Sequence, residues 1–225
     1  MRHLCAMRIL SRGVSYVFHP LFLYFYLVLI AFAIDKYDYR IDNSRAIEAM
    51  LIMTFFILVM FPLISTFLFK GLGLIPDLKM ADKKDRIGPL IATLIFYIWY
   101  FVNVKNNVAL PDTLRFVALG GAIALGLAFF INNFSRISLH AVGAGTFLLA
   151  IILLVLHTNS SSLVFTLPMI GSYRVSSIFV IFLTVIISGL IGTSRLYLEA
   201  HTMEDVFGGY VVGIFSQIVA YNFMT

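Results

Sequence analysis

The densest group of reactive side chains lies between residues 194 and 205, where a serine, an arginine, a histidine and an aspartate separate two long apolar runs. If a helix begins near Thr202, His201 and Asp205 share one helix face, so the carboxylate can accept the proton of one imidazole nitrogen. The other nitrogen is then free to act as a nucleophile or base. Arg195 adds a planar fork that suits two phosphate oxygens. These residues predict phosphoryl chemistry at a membrane surface; the alternative is a polar loop that only marks the membrane boundary.

The composition places the chain in a lipid bilayer. Hydrophobic residues make up 61% of the sequence and charged residues 12%, which leaves too few polar side chains to cover a water-soluble globule. The single cysteine, Cys5, excludes an intramolecular disulfide framework and a cysteine-based metal site. Outside the apolar segments no basic run is interleaved with aromatic residues, which argues against nucleic acid as a partner. The net charge of +5 fits anionic head groups, a phosphate substrate or ordinary loop anchoring.

Seven apolar runs predict an all-α fold, a polytopic membrane helix bundle with six to seven transmembrane helices. The first run follows three arginines and is longer than the hydrophobic region of a signal peptide. The third run is short, because Asn103, Lys105 and Asn106 blur its end. The runs lie at about residues 15–34, 47–69, 90–104, 113–131, 141–156, 175–193 and 206–223.

The candidate site residues lie in three polar segments between the runs: the loop at 70–88, the turn at 132–140 and the segment at 194–205. Two spans separate the first from the second, and two more separate the second from the third, so all three emerge on one face of the membrane. Because membrane proteins confine ionisable groups to loops, cavities and functional sites, we expect one site assembled from all three. The G-x-x-x-G spacing of Gly209 and Gly213 favours close helix packing, with flexibility as the alternative.

The last polar segment carries a family signature. Ser194 and Arg195, then five residues and His201, then three residues and Asp205, match the S-R-x5-H-x3-D signature of the type 2 phosphatidic acid phosphatase superfamily, which the chain resembles. The resemblance extends over about residues 79–213 and leaves the first two runs outside. Members of that family have a core of six helices.

Two further motifs of the family have weaker counterparts. Lys79, six residues and Arg86 resemble its K-x6-R-P element, with Ile87 where the proline is expected. Residues 137–140, I-S-L-H, are similar to its P-S-G-H element and keep the serine and the histidine. Leu139 stands in place of the glycine, and a leucine fits there only if the backbone φ is negative.

What the resemblance implies is a metal-independent lipid phosphatase without a cofactor. His201 would attack phosphorus to form a phosphohistidine, with Asp205 orienting its ring. His140 would protonate the leaving group and then activate water. The phosphoryl oxygens would be held by three cations and a hydroxyl, from Lys79, Arg86, Arg195 and Ser138.

The whole chain, residues 1–225, is expected to form a single integral-membrane domain, with 1–69 as N-terminal helices outside the motif region and 70–225 as the phosphatase core. The substrate would be a lipid phosphate or pyrophosphate that reaches the site from the lipid bilayer, and no obligate protein partner is expected. The expected location is the bacterial inner (cytoplasmic) membrane. Basic residues are more numerous on the face of the three motifs, but the site cations account for most of the excess, so the face stays open.

Two other classes of protein fit parts of the pattern. One is a non-catalytic membrane protein that binds anionic lipid through the same basic loops; a small transporter belongs with it, although the interiors of the runs lack ionisable residues. The other is a vanadate-dependent haloperoxidase, which a membrane-embedded chain disfavours. His3, His19 and His157 are interpreted as structural or interfacial, because none has a carboxylate partner in a predicted loop on the same membrane face.

Overall fold

The computed structural model describes residues 2–34, 44–78, 80, 82–167 and 171–224. These ranges contain nine α-helices, a short π-helical turn between α3 and α4, and one β-hairpin. The helices are α1 (Arg2–Val17), α2 (Pro20–Ile34), α3 (Ser44–Phe55), α4 (Phe61–Gly71), α5 (Ile87–Asn106), α6 (Asp112–Phe134), α7 (Leu139–Thr158), α8 (Ser177–Tyr197) and α9 (Met203–Met224). The strands are β1 (Ser162–Leu167) and β2 (Gly171–Ser176).

The described helices form an all-α polytopic membrane bundle, as predicted. Six of them are long and apolar enough to cross a membrane when the continuous stretch Ile47–Gly71 is counted as one, and the pair α1–α2 adds a seventh if it forms one bent span. The third run, predicted to be short, is the full-length helix α5 of 20 residues. Asn103 and Lys105 therefore lie within the last turns of a helix and do not end it early.

The first apolar run, predicted as one helix, is broken. Helix α1 ends at Val17, α2 begins at Pro20, and the two axes differ by 56°. Proline lacks a backbone N–H and disfavours helical geometry in the residue before it, so it is tolerated at the first position of a new helix but not in the middle of one. The sequence His19-Pro20 therefore makes a corner, and the residues of this corner face the motif segments.

Helix α7 lies at the centre of the bundle and packs most extensively against α9. Glycines allow the close approach: a Cβ atom on Gly213 would lie 2.2 Å from the carbonyl oxygen of Val142, and one on Gly145 would lie 2.6 Å from that of Tyr210. A backbone oxygen cannot move aside as a side chain can, so these positions exclude larger residues. Close packing, one of the two interpretations of Gly209 and Gly213, is confirmed.

An antiparallel β-hairpin joins α7 to α8, where no strand was predicted. Ser162 pairs with Ser176 and Leu167 with Gly171. Leu163 is buried against Ile34 and Val155. Because the hairpin follows the C-terminal end of α7, it lies at the end of the bundle away from the motif segments, which meet at the N-terminal end of that helix.

Candidate active site

The corner between α8 and α9 is built by two local capping motifs. At the end of α8, the N–H of Ala200 donates to the carbonyl of Arg195 at 3.1 Å and that of Glu199 to Leu196 at 2.9 Å, the hydrogen-bond pattern of a Schellman motif. Glu199 has φ +53°, the left-handed conformation that this motif requires. The turn reverses the chain within a few residues, so that Arg195 and His201 lie on the same side of the corner.

Helix α9 begins with a capping box. The hydroxyl of Thr202 accepts the N–H of Asp205 at 3.2 Å, and the Asp205 carboxylate accepts the N–H of Thr202 at 3.2 Å. The same carboxylate oxygen lies 3.3 Å from Nδ1 of His201. The predicted helix start and the predicted His201–Asp205 pair are therefore confirmed. With Nδ1 donating to the carboxylate, Nε2 of His201 is the nitrogen left with a free lone pair.

The second segment contributes the start of α7. Ser138 caps this helix by accepting the N–H of Ala141 at 3.4 Å, and its own N–H donates to the carbonyl of Asp205 at 3.2 Å, which joins the second segment to the third. Leu139 is the first helical residue and is not among the described non-glycine residues with positive φ. The leucine therefore fits without backbone strain at the position that corresponds to the glycine of the P-S-G-H element.

The first segment is tied to the second through Arg86. Its Nε donates to the carbonyl of Met80 at 2.9 Å and its Nη1 to that of Ile137 at 3.3 Å. A few residues earlier, the carbonyl of Lys83 accepts the Asn132 side-chain amide at 2.9 Å. Hydrogen bonds thus link all three motif segments at one end of the bundle.

A cavity of about 280 Å³ lies between these segments. Its polar end is lined by two arginines and three histidines, namely Arg86, Arg195, His140, His201 and His19. Its other walls are mostly apolar and come from α2, α5, α6 and α7, among them Leu23, Leu27, Leu90, Ala124, Leu125 and Phe147. The cavity therefore extends from a cationic end into the apolar interior of the bundle.

The corner between α1 and α2 closes the polar end. The carbonyl of Ser15 lies 3.1 Å from Nε2 of His140, and its hydroxyl accepts from Nη1 of Arg195 at 3.1 Å. Each of the two motif histidines is thus oriented by one oxygen: His201 by a carboxylate and His140 by a backbone carbonyl. A donor bond from Nε2 leaves Nδ1 of His140 as the nitrogen that can exchange a proton.

Burial and the positive charge of the neighbouring arginines keep His201 neutral at pH 7. The pKa of His201 is lowered from its usual 6.5 to about 4, mainly by burial and to a smaller extent by the nearby Arg86 and Arg195, against the opposing effect of Asp205. Burial and then Arg136 lower the pKa of Arg86, but a guanidinium stays charged at neutral pH. The Nε of Arg195 is buried and has no acceptor among the described residues, as expected for a donor directed at a bound anion.

Of the seven predicted site residues, the cavity walls include His201, His140, Arg86 and Arg195, and Asp205 supports the first of these. Ser138 is fully buried as a helix cap and is not among the described residues that line the cavity. Its predicted contact with phosphate stays a prediction. Lys79 lies outside the described residues.

Comparisons find no match. Neither a protein-family model, nor a curated protein, nor a solved structure is similar to this chain. The likeness to the phosphatase superfamily therefore depends on the motif residues and on the way the chain arranges them.

Two residues of the cavity end were missed from the sequence. Ser15 and His19 belong to the segment 1–69 that was expected to lie outside the motif region, yet they contact Arg195 and His140. One signal was present: Pro20 indicates a helix break, and the N-terminal side of the first run faces the same membrane surface as the three motifs. The partner residues are over a hundred positions away, and no local pattern identifies them.

Proposed function

We propose that this protein is a membrane lipid phosphatase that hydrolyses a phosphate monoester or diphosphate of a lipid through a phosphohistidine intermediate. The observation that supports this most directly is the cavity in which His140, His201, Arg86 and Arg195 meet. Phosphoryl transfer asks a protein mainly for positioning and for positive charge around the phosphoryl oxygens. Two guanidinium groups and two oriented imidazoles supply both.

In the first step, Nε2 of His201 attacks phosphorus in line with the bond to the lipid oxygen. The P–N bond forms as the P–O bond breaks, and His140, which takes up a proton on Nδ1 when the anionic substrate binds beside it, transfers this proton to the departing lipid oxygen. Asp205 stabilises the charge that develops on the attacking ring through its bond to Nδ1. Arg86 and Arg195 stabilise the phosphoryl oxygens in the transition state.

In the second step, water enters where the lipid alcohol has left. His140, now neutral, accepts a proton from this water as its oxygen attacks phosphorus and the P–N bond breaks. Inorganic phosphate is released, His201 returns to its neutral form, and His140 holds the proton needed for the next cycle. The Ser15 carbonyl keeps the His140 ring in one orientation during both steps.

The apolar walls support a lipid as the substrate. From the cationic end, the cavity continues between α2, α5, α6 and α7, where leucine and phenylalanine side chains line it. The hydrocarbon chain of a lipid in this space would contact apolar side chains in place of the surrounding bilayer, while the head group of the same lipid reaches the arginines. Predominantly apolar cavities with a few convergent polar groups are typical of binding sites for small molecules.

The decisive experiment measures phosphate release by the purified protein in detergent with a panel of lipid phosphates and lipid diphosphates, in the presence of EDTA. We expect release by the wild type, none by His201→Ala, and a strong reduction in His140→Ala. Acid-labile and base-stable labelling of the wild type by a phosphorus-labelled substrate would identify the phosphohistidine, and His201→Ala should show none.

A matched control is His157→Ala, because this histidine is exposed in the last turn of α7, away from the cavity. It should leave release unchanged. Binding of lipid phosphate by the wild type without any release would reject the enzyme in favour of a non-catalytic anionic-lipid-binding protein. Release that persists in His201→Ala would reject the assignment of the nucleophile.

A further inference from the structure

His19 occupies the corner between α1 and α2 and is not part of any motif. Its ring lies edge to face with that of His140, with 5.5 Å between the centroids and 85° between the planes. It lines the same cavity as His140, His201 and Arg195. His19 therefore lies where it could contact a ligand in the cationic end of the cavity, which a purely structural role does not require.

The two nitrogens of His19 have different surroundings. Nδ1 accepts the backbone N–H of Leu21 at 3.4 Å, so His19 acts as the N-cap of α2. In the neutral ring the proton is then on Nε2, which makes this nitrogen a hydrogen-bond donor. No residue in the described part of the chain accepts a hydrogen bond from Nε2, and the ring borders the cavity.

The position of His19 along the cavity indicates which part of a ligand it meets. It contacts His140, the histidine that would protonate the leaving group, and it is followed by Pro20, Leu21 and Leu23, which line the start of the apolar part. A ligand with its phosphorus between His201 and the arginines and its hydrocarbon chain in the apolar part has its linking oxygens next to His19.

We propose that His19 is a substrate-contacting residue whose Nε2–H donates a hydrogen bond to the oxygens on the leaving-group side of the phosphorylated head group. The proposal depends on the proposed function for the direction of the substrate in the cavity. It makes the N-terminal corner a part of the active site and not a cover that lies outside the motif region. A hydrogen bond to a charged group contributes enough to change kcat/KM about tenfold to a hundredfold.

Two conservative substitutions distinguish the hydrogen-bond donor role of Nε2 from the helix-capping role of Nδ1. His19→Asn keeps a side-chain acceptor that suits an N-cap and removes the Nε2 donor, whereas His19→Gln places an amide N–H near the position of Nε2 but caps poorly. We expect His19→Asn to keep the melting temperature of the wild type and to lose about tenfold or more in kcat/KM. His19→Gln should recover most of this loss despite a lower melting temperature.

A purely structural histidine gives the opposite order, with His19→Asn fully active and His19→Gln impaired in proportion to its stability; this result would overturn the proposal. His157→Asn is the matched control, since that histidine lies at the far end of α7. It should change neither quantity.

A second measurement does not depend on any variant folding. With isotope-labelled histidine in the wild-type protein, orthovanadate as a phosphate probe should shift the His19 Nε2–H resonance in NMR spectra. An unchanged His19 resonance at saturating orthovanadate, with that of His201 shifted, would overturn the proposal.

These results also separate the two proposals. If the wild type releases phosphate while orthovanadate leaves the His19 resonance unchanged, the role of His19 fails and the phosphatase stands. If orthovanadate shifts His19 but no lipid phosphate is hydrolysed, His19 is an anion ligand and the proposed activity fails.

Discussion

One carboxylate oxygen of Asp205 lies 3.3 Å from Nδ1 of His201 and 3.2 Å from the backbone nitrogen of Thr202. The same side chain therefore orients the proposed nucleophile and caps the helix that follows it. This geometry makes the two roles separable by experiment, because an asparagine keeps an oxygen for the cap but loses the negative charge.

Asp205→Asn is expected to reduce kcat roughly a hundredfold or more, since the imidazole loses the charge that stabilises it during attack and the amide can select the wrong tautomer. The melting temperature should change little, because asparagine can still accept the N–H of Thr202. Phosphate release and thermal unfolding in detergent check the two expectations. Glu204→Gln, at an exposed neighbouring position, is the control; equal activity of Asp205→Asn and the wild type would contradict the pairing.

The pH dependence follows from the neutral state of His201. Burial lowers its pKa to about 4 from 6.5, so the attacking ring stays unprotonated well below pH 6.5. Protonation of His201 should therefore reduce kcat/KM only near pH 4, which is the acidic limb of the pH profile. Because the Asp205 carboxylate raises the pKa, Asp205→Asn should move this limb to lower pH. A pKa of His201 near 6.5, measured by NMR titration of its ring, would be incompatible with its burial in the structure.

The same shift has a consequence for stability. An unfolded histidine binds a proton as the pH falls through 6.5, whereas the folded His201 does so only near 4. Its contribution to stability is therefore fully present above about pH 6.5 and is lost progressively as the pH falls toward 4. The melting temperature of the wild type should fall more steeply across this window than that of His201→Gln, and parallel curves would speak against it.

Gly213→Ala should separate α9 from α7. The added Cβ would lie 2.2 Å from the Val142 carbonyl oxygen and 2.5 Å from the Thr146 nitrogen, and backbone atoms cannot yield without moving a helix. We expect a loss of roughly 1–3 kcal/mol in the free energy of unfolding and reduced phosphate release, because α9 carries the corner with His201. Gly208→Ala on the same helix meets nothing within 4 Å and should be neutral or slightly stabilising. Equal effects of the two substitutions would contradict the packing.

Glu199→Gly should stabilise the protein. Glu199 holds the left-handed position of the Schellman motif with φ +53°, a conformation that costs a residue with a Cβ roughly 1 kcal/mol and glycine almost nothing. Reversible unfolding in mixed detergents would measure the gain. Glu204→Gly in the first turn of α9 is the control and should destabilise by a similar amount, because glycine weakens a helix. A less stable Glu199→Gly would show that the corner adopts another conformation.

Gly143→Leu should discriminate between substrates by their tails. A Cβ on Gly143 fits at 3.5 Å from Leu23, and Gly143 lines the cavity, so we expect the larger side chain of leucine to take up part of the cavity volume. We expect at least a tenfold loss in kcat/KM for long-chain lipid phosphates and little change for a short soluble phosphate ester. The control is Gly189→Leu on α8, where nothing lies within 4 Å. Equal losses for long and short substrates would argue against a tail in this cavity.

The features that the sequence predicted correctly depend on local or one-dimensional information. The apolar runs had to be membrane helices because a backbone in lipid must satisfy its own hydrogen bonds. The start of α9 and the pair His201–Asp205 follow from helix geometry over four residues. Counting spans was sufficient to assign the three polar segments to one face.

The tertiary structure alone decided what fills the space between those segments. The sequence contains Pro20 and thus the break in the first run, but not the contact of Ser15 with His140, which are separated by 125 positions. It likewise places Ser138 near the site, but only the packing of α7 against α9 brings its backbone N–H to the carbonyl of Asp205. The physical reason is that capping and periodicity act within one or two helical turns, whereas the cavity wall depends on how whole helices pack, and glycine-to-backbone contacts such as Gly213 with Val142 set that packing.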